Sequence, residues 1–180
     1  MLADTMRTNN NIAVYLLDLR GHGNSQGPRG HTPEPERLWH DLKEFIYYVK
    51  KKQQKMPLFL GGHSSGAGMV LNYSSWVKKA PVDGYLFLSP EFGYKSKTSR
   101  NVGTKHESSF AKIRLWVFLF SEITGEKFFG SWTAVIFNYP KEIIKSNPLF
   151  ITKITRNMAV GLTPNDPQKQ FSMIDKPFSI

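Results

Sequence analysis

Short apolar runs and longer amphipathic stretches alternate over the first 92 residues. Ile12–Asp18 (IAVYLLD), Pro57–Gly61 (PLFLG) and Val82–Ser89 (VDGYLFLS) are dense in β-branched, aromatic and leucine side chains. Runs apolar on both faces suit strands of a parallel sheet covered by helices on each side. Between the first two, Leu38, Leu42, Phe45, Ile46 and Val49 form one helical stripe within Arg37–Lys52. Between the second and third, Met69, Tyr73, Trp76 and Val77 line up similarly within Ser65–Lys79. Strand, helix, strand, helix, strand is the pattern of an α/β fold.

The alternation breaks after residue 92. A polar stretch, Lys95–Ser109, precedes Phe110–Phe120, where Phe110, Ile113, Val117 and Phe120 recur at helical spacing. An aromatic run, Phe128–Tyr139, and a further expected helix at Lys141–Lys145 follow. This predicts a helical insertion over 93–170, mounted on the core of residues 1–92. Ile174–Ile180 reads as the first half of another buried strand, so 171–180 is expected to return to the core. A strand that stops after three or four residues leads us to expect a central piece of a longer protein.

Composition changes this picture little. Hydrophobics at 40% and aromatics at 13% supply a core and exclude a disordered or collagen-like chain. No apolar stretch approaches the ~20 residues that span a bilayer, and MLADTMRTNN shows no secretory leader. A cytoplasmic or peripheral membrane location is expected. With no cysteine there is no disulfide, thiolate metal site or cysteine nucleophile. Charge is more informative. Residues 1–92 carry 11 basic and 8 acidic side chains, 93–156 carry 11 and 4, and 157–180 balance, so the net +10 concentrates in the insertion. Such a segment suits an anionic membrane surface, an acidic substrate or simple solvation. Its cations are scattered among apolar stretches, which argues against a nucleic-acid partner.

Candidate chemistry centres on GHSSG, Gly62 to Gly66, between an expected strand and an expected helix. It matches G-x-S-x-G, with Ser64 central and on the order of 0.1 chance matches expected in this composition. A serine on so sharp a turn needs small residues two before and two after, hence Gly62 and Gly66, with His63 beside it. The helix start would aim the Ser65 backbone N–H at a developing oxyanion. Ser65 competes as nucleophile, but shifting the frame puts His63 and Ala67 where the glycines belong. The plain alternative is an inert serine in a glycine-rich turn.

A second motif, DLRGHGNS (Asp18 to Ser25), follows the first expected strand. Gly21 and Gly23 permit an abrupt exit, and Asp18 and Arg20 can pin the turn by hydrogen bonds. His22 invites a catalytic role, but its place before the elbow favours a structural one.

Together, DLRGHGNS and, some 40 residues later, GGHSSGAG resemble α/β-hydrolases of the monoacylglycerol lipase/lysophospholipase type and the related serine aminopeptidase-like group. The resemblance covers Leu2 to Ser89 and sets 93–170 where those proteins carry a helical cap. It implies a partial α/β-hydrolase fold, a parallel sheet with flanking helices, with Ser64 as nucleophile and the Ser65 amide as half of the oxyanion hole. In that group the triad runs Ser, Asp, His in chain order. The Asp follows the strand beginning near Lys176 and the His comes later, so both are expected beyond Ile180. The loop donating the second oxyanion N–H, and the strand between those of the two motifs, are expected before Met1.

The chain's own histidines are His22, His31, His40, His63 and His106. A serine hydroxyl needs a base within hydrogen-bond reach. A substitute triad of His106 with Asp83 or Asp166 is conceivable. No metal-ligand spacing and no phosphate-binding loop is present, so no cofactor and no metal is expected. The expected function is cleavage of a lipid-like carboxylic ester through a Ser64 acyl-enzyme. The cap aromatics Trp116, Phe118, Phe120, Phe128, Phe129 and Trp132 are expected to shelter the acyl chain. The alternatives are a catalytically inactive hydrolase fold kept as a binding module and a peptidase of the serine aminopeptidase-like group.

Overall fold

A computed structural model describes residues 2–10, 12–93, 111–125 and 128–180. The expected polar stretch Lys95–Ser109, with His106, and Phe110 lie outside the described residues. Helix α1 (Leu2–Asn10) leads into the extended segment 12–18, and α2 (Pro35–Lys52) follows the glycine-rich loop. Proline at the start of α2 suits its first turn, and Lys50, Lys51 and Lys52 face the negative end of the helix dipole. Its expected stripe is buried: Leu38, Leu42, Ile46 and Val49 all point into the core.

Strand β1 (Phe59–His63), helix α3 (Ser65–Ser75) and strand β2 (Gly84–Leu88) realise the expected alternation. The two strands pair in parallel with Gly61 opposite Leu86, and β6 (Phe178–Ser179) pairs in parallel with β2, giving the order β1-β2-β6. Of the Lys176–Ile180 segment, Phe178 and Ser179 join the sheet, but as its described edge both are exposed, so the expected burial of this strand is not found. Tyr73, Leu71 and Val70 of α3 are buried against Phe87 and Tyr85 of β2. Helix α3 stops at Ser75, short of the expected Lys79. The Ser74 hydroxyl donates to the Leu71 carbonyl and that of Ser75 to the Asn72 carbonyl, and such local bonding competes with helix continuation. Val77, expected on the apolar stripe, is 89% exposed.

Ile12–Asp18 does not form the expected strand. It is extended but joins no ladder, and Ile12, Val14, Tyr15 and Leu16 are exposed. A strand exists only through a hydrogen-bonded neighbour, and no described strand lies beside this segment. Leu17 and Leu19 still pack on the core.

The region expected to be helical carries helices and also a second sheet. Strands β3 (Ala111–Ile113), β4 (Thr133–Phe137) and β5 (Lys153–Thr155) pair antiparallel in that order. Helix α4 (Leu115–Ile123) packs on β4, α5 (Lys141–Ser146) matches the expected helix, and α6 (Arg156–Leu162) and α7 (Pro167–Ser172) lie against α3. α6 also packs on α2, burying Met158, Ala159 and Leu162 in the same cluster as Leu38 and Leu42. No described helix is long and apolar enough to cross a membrane.

Candidate active site

The turn from β1 into α3 is held by its own backbone. Ser64 has φ 53° and ψ −121°, a conformation costly for any residue with a Cβ. Its N–H donates to the Leu88 carbonyl at 3.0 Å, and its carbonyl accepts from Ala67, Gly68 and Glu91 at 3.0, 3.1 and 3.2 Å. These bonds tie the elbow to β2 and the loop after it, which over-determines the strained residue. A Cβ on Gly62 would overlap the Gly66 carbonyl and stand 2.6 Å from Ala67 N, so the first glycine is required. The second is not: a Cβ on Gly66 would meet no described atom within 4 Å beyond its chain neighbours and its own helix backbone. The expectation of a steric need two residues after the serine fails among the described residues, because Gly66, in the first turn of α3, faces open space there.

Ser64 and Ser65 line an open cavity of about 930 Å³. The Ser64 hydroxyl has no hydrogen-bond partner among the described residues. The Ser65 and Gly66 N–H groups, first in α3, likewise meet no acceptor there and are free to serve a ligand oxygen. Glu91, Trp39 and Phe118 share the wall, with Val135, Phe137, Tyr139 and Phe150 from the second sheet and its connections. Sequence patterns did not point to these last residues. Glu91 had one available signal, its place just past the carboxyl end of a parallel strand, where ligand crevices of such sheets gather.

The cap aromatics divide. Phe118 lines the cavity, whereas Trp116, Phe120, Phe129 and Trp132 stack on one another at centroid distances of 5.0–6.3 Å, away from it. Trp116, Phe120, Phe128 and Trp132 are exposed. The expectation that all six shelter an acyl chain is corrected. Only Val117 and Ser121 of α4 are buried, so the helix turns most of its apolar side chains outward.

The DLRGHGNS loop is a hydrogen-bonded clasp. Asp18 accepts from Asn24 N at 2.9 Å, and the Ser25 hydroxyl donates to the Asp18 carbonyl at 2.6 Å. Arg20 grips Asp41 of α2 through Nε and Nη2 at 2.7 and 2.8 Å, which raises the guanidinium pKa, and Arg37 adds a second contact to Asp41 at 2.7 Å. His22 Nδ1 lies 3.0 Å from the Arg20 carbonyl, and the ring also reaches the cavity wall. Burial lowers its pKa, so the ring is neutral near pH 7.

No described imidazole hydrogen-bonds to Ser64. His63 is exposed on β1 and is absent from the cavity wall, His40 packs edge-on against Trp76 at 4.7 Å, and His31 Nδ1 lies 3.3 Å from the Thr155 hydroxyl. The carboxylates considered for a substitute triad serve the backbone. Asp83 accepts from Leu58 N at 2.8 Å, and Asp166 caps α7 by accepting from Lys169 N at 3.1 Å. No cluster of metal-ligating side chains occurs among the described residues.

A parallel sheet with flanking helices, whose strained strand–helix turn presents a serine to an open cavity, is the architecture of an α/β-hydrolase. The chain belongs to the serine aminopeptidase S33 family (Hydrolase_4), which matches residues 2–167. Among curated relatives, the monoacylglycerol lipase of Mycolicibacterium smegmatis is 33% identical over 64 residues, covering 36% of this chain and 23% of that protein. The monoglyceride lipase of Saccharomyces cerevisiae is 32% identical over 85 residues, covering 45% and 27%. The fold is that of the Paleococcus ferrophilus monoacylglycerol lipase, with a TM-score of 0.56 at 20% identity over 88% of this chain and 57% of that one. A soluble variant of the S. cerevisiae enzyme in complex with a substrate analogue also superimposes with a TM-score of 0.56, at 22% identity over 89% and 55%. The chain thus spans little more than half of the solved structures, and its matches span about a quarter of these two curated relatives.

Proposed function

We propose that Ser64 is the nucleophile of a serine hydrolase that cleaves a carboxylic ester of a lipid-like substrate. In this reading Ser64 Oγ attacks the carbonyl carbon while a general base takes its proton, and the Ser65 N–H receives the developing oxyanion. Collapse expels the leaving oxygen, which takes that proton from the base and departs as the alcohol, leaving an acyl ester on Ser64. Water, deprotonated by the same base, then releases the acid. The base and its carboxylate partner come from outside the described surroundings of Ser64. The observation that carries the reading is the positive-φ Ser64, unbonded at its hydroxyl among the described residues, lining a cavity whose wall mixes aliphatic and aromatic side chains with Glu34, Glu36, Glu91, Glu122 and Arg156. Residues 1–92 and 171–180 serve as the catalytic core and 93–170 as the cap. The outward apolar face of α4, in a basic segment, favours peripheral contact with an anionic membrane.

A binding module is favoured by one observation, the lack of any described imidazole on Ser64. A fluorophosphonate probe applied to the full-length protein decides between the two. Labelling that Ser64→Ala abolishes supports the hydrolase, and no labelling of the unaltered protein supports the module. Comparing release of fatty acid from monoacylglycerols with cleavage of aminoacyl amides then separates lipase from peptidase chemistry.

A further inference from the structure

The nucleophile helix carries a second polar device that the ester-cleaving reading does not use. Asn72 lies two turns along α3 from Ser64 and is 3% exposed. Its Nδ2 donates to the carbonyls of Thr163 at 3.0 Å and Gly161 at 3.2 Å, with a longer approach to that of Val160 at 3.4 Å. These carbonyls end α6, where a helix has no intrahelical donors left. Its Oδ1 accepts from Gln170 Nε2 of α7 at 2.8 Å, and the same Nε2 contacts the Ser75 hydroxyl at 3.1 Å. Gln170 Oε1 in turn accepts from Asp166 N at 3.2 Å. Every polar atom of both amides is thus engaged, which fixes their orientation and makes the network costly to disturb.

One turn before Asn72, Gly68 lets the same turn press onto α3. A Cβ there would overlap the Leu162 carbonyl and stand 3.0 Å from Pro164 Cδ. The clamped turn is part of the cavity, since Leu162, Thr163, Pro164 and Asn165 all line it together with Ser64. The helix that begins at the nucleophile therefore holds this stretch of the cavity wall by side-chain amides.

We propose that Asn72 and Gln170 are positioning residues that fix the 162–165 wall relative to Ser64 and so set which acyl-chain lengths the cavity accepts. The proposal rests on the cavity being the acyl site, but not on Ser64 being the nucleophile. It is tested in the full-length protein carrying Ser64→Ala, which removes the chemistry, by measuring Kd for octanoate and palmitate. Asn72→Ala and Gln170→Ala are each expected to change the palmitate-to-octanoate Kd ratio at least fivefold, leaving octanoate affinity within twofold. The double variant should go no further than Asn72→Ala, because the two amides act as one unit. Gln170→Glu, which keeps the shape but loses the donor to Asn72, should behave as Gln170→Ala. An unchanged ratio, an equal loss for both ligands, or no binding of either by the Ser64→Ala protein would overturn the proposal. If Asn72→Ala does not fold, the two variants at Gln170, a half-buried site, decide. Fluorophosphonate labelling of Ser64 is read separately, so failure of the nucleophile assignment is distinguishable from failure of the clamp.

Discussion

Gly62 and Gly66 flank Ser64 symmetrically in the sequence, yet only Gly62 is sterically required. A Cβ at Gly62 would collide with Gly66 and stand 2.6 Å from Ala67 N, while one at Gly66 would meet no described atom within 4 Å beyond its chain neighbours and its own helix backbone. Backbone cannot retreat as a flexible side chain can, so Gly62→Ala is expected to cost about 3 kcal/mol or to prevent folding. Gly66→Ala sits in the first turn of α3 and should change stability by no more than about 1 kcal/mol, in the favourable direction, through helix propensity. Urea unfolding of both variants checks this. Equal losses would mean that the elbow packs differently.

Ser64 is held at φ 53° by four backbone hydrogen bonds, and its hydroxyl has no described partner. A residue in such a region stores about 1–3 kcal/mol, which glycine relieves, partly offset by glycine's freedom in the unfolded chain. Ser64→Gly is therefore expected to stabilise the protein by about 1 kcal/mol while removing the hydroxyl. Ser64→Ala keeps the strain and should show no such gain. A destabilised Ser64→Gly variant would show that the turn is not strained.

The turn at Ser64 was legible because its determinants are local. Glycine spacing, a strand pattern before it and a helical stripe after it all lie within about 20 residues, and the same is true of α2 and β2. What escaped detection depends on partners distant in sequence. Ala111–Ile113 and Lys153–Thr155 are three-residue strands that exist only because Thr133–Phe137 lies between them. Ile12–Asp18 shows the converse, a strand-like pattern with no described neighbour to pair with. The aromatics of α4 were misassigned because helical spacing does not say which face turns inward. Val117 and Ser121 do so, and Trp116 and Phe120 do not. The wall residues Phe137, Tyr139 and Phe150 are brought to Ser64 by the second sheet, which no local pattern encodes.

Tyr73 of α3 and Tyr85 of β2 are buried, and desolvation pushes both phenols up to about 12. In the unfolded chain they ionise near 10. Their contribution is therefore complete below pH 10 and is lost as pH rises from 10 towards about 12, because the unfolded state gives up those protons first. The unfolding midpoint in urea should fall over that window. Tyr85→Phe should flatten the fall, since it removes one of the two groups. An undiminished alkaline slope in that variant would place the Tyr85 phenol in solvent. Tyr73→Phe is the less clean test, because its hydroxyl also accepts from Ala80 N at 2.7 Å.

The outward face of α4 yields the last prediction. Leu115, Trp116, Leu119, Phe120 and Ile123 are all exposed on one nine-residue helix, and Trp132 stacks edge-on against Trp116 at 5.6 Å. Exposed apolar clusters of this size mark interaction surfaces. Lys112 and Arg114, just before the helix, add positive charge at the same edge, worth about 1 kcal/mol each near an anionic leaflet. Partition onto vesicles of mixed neutral and anionic phospholipid, read by sedimentation of the full-length protein, should be weakened about tenfold or more by Trp116→Ser with Leu119→Ser. Raising salt should weaken it further in the unaltered protein by screening Lys112 and Arg114. Unchanged partition in the double variant would mean that another surface meets the membrane. Loss with salt alone would reduce the contact to charge without insertion.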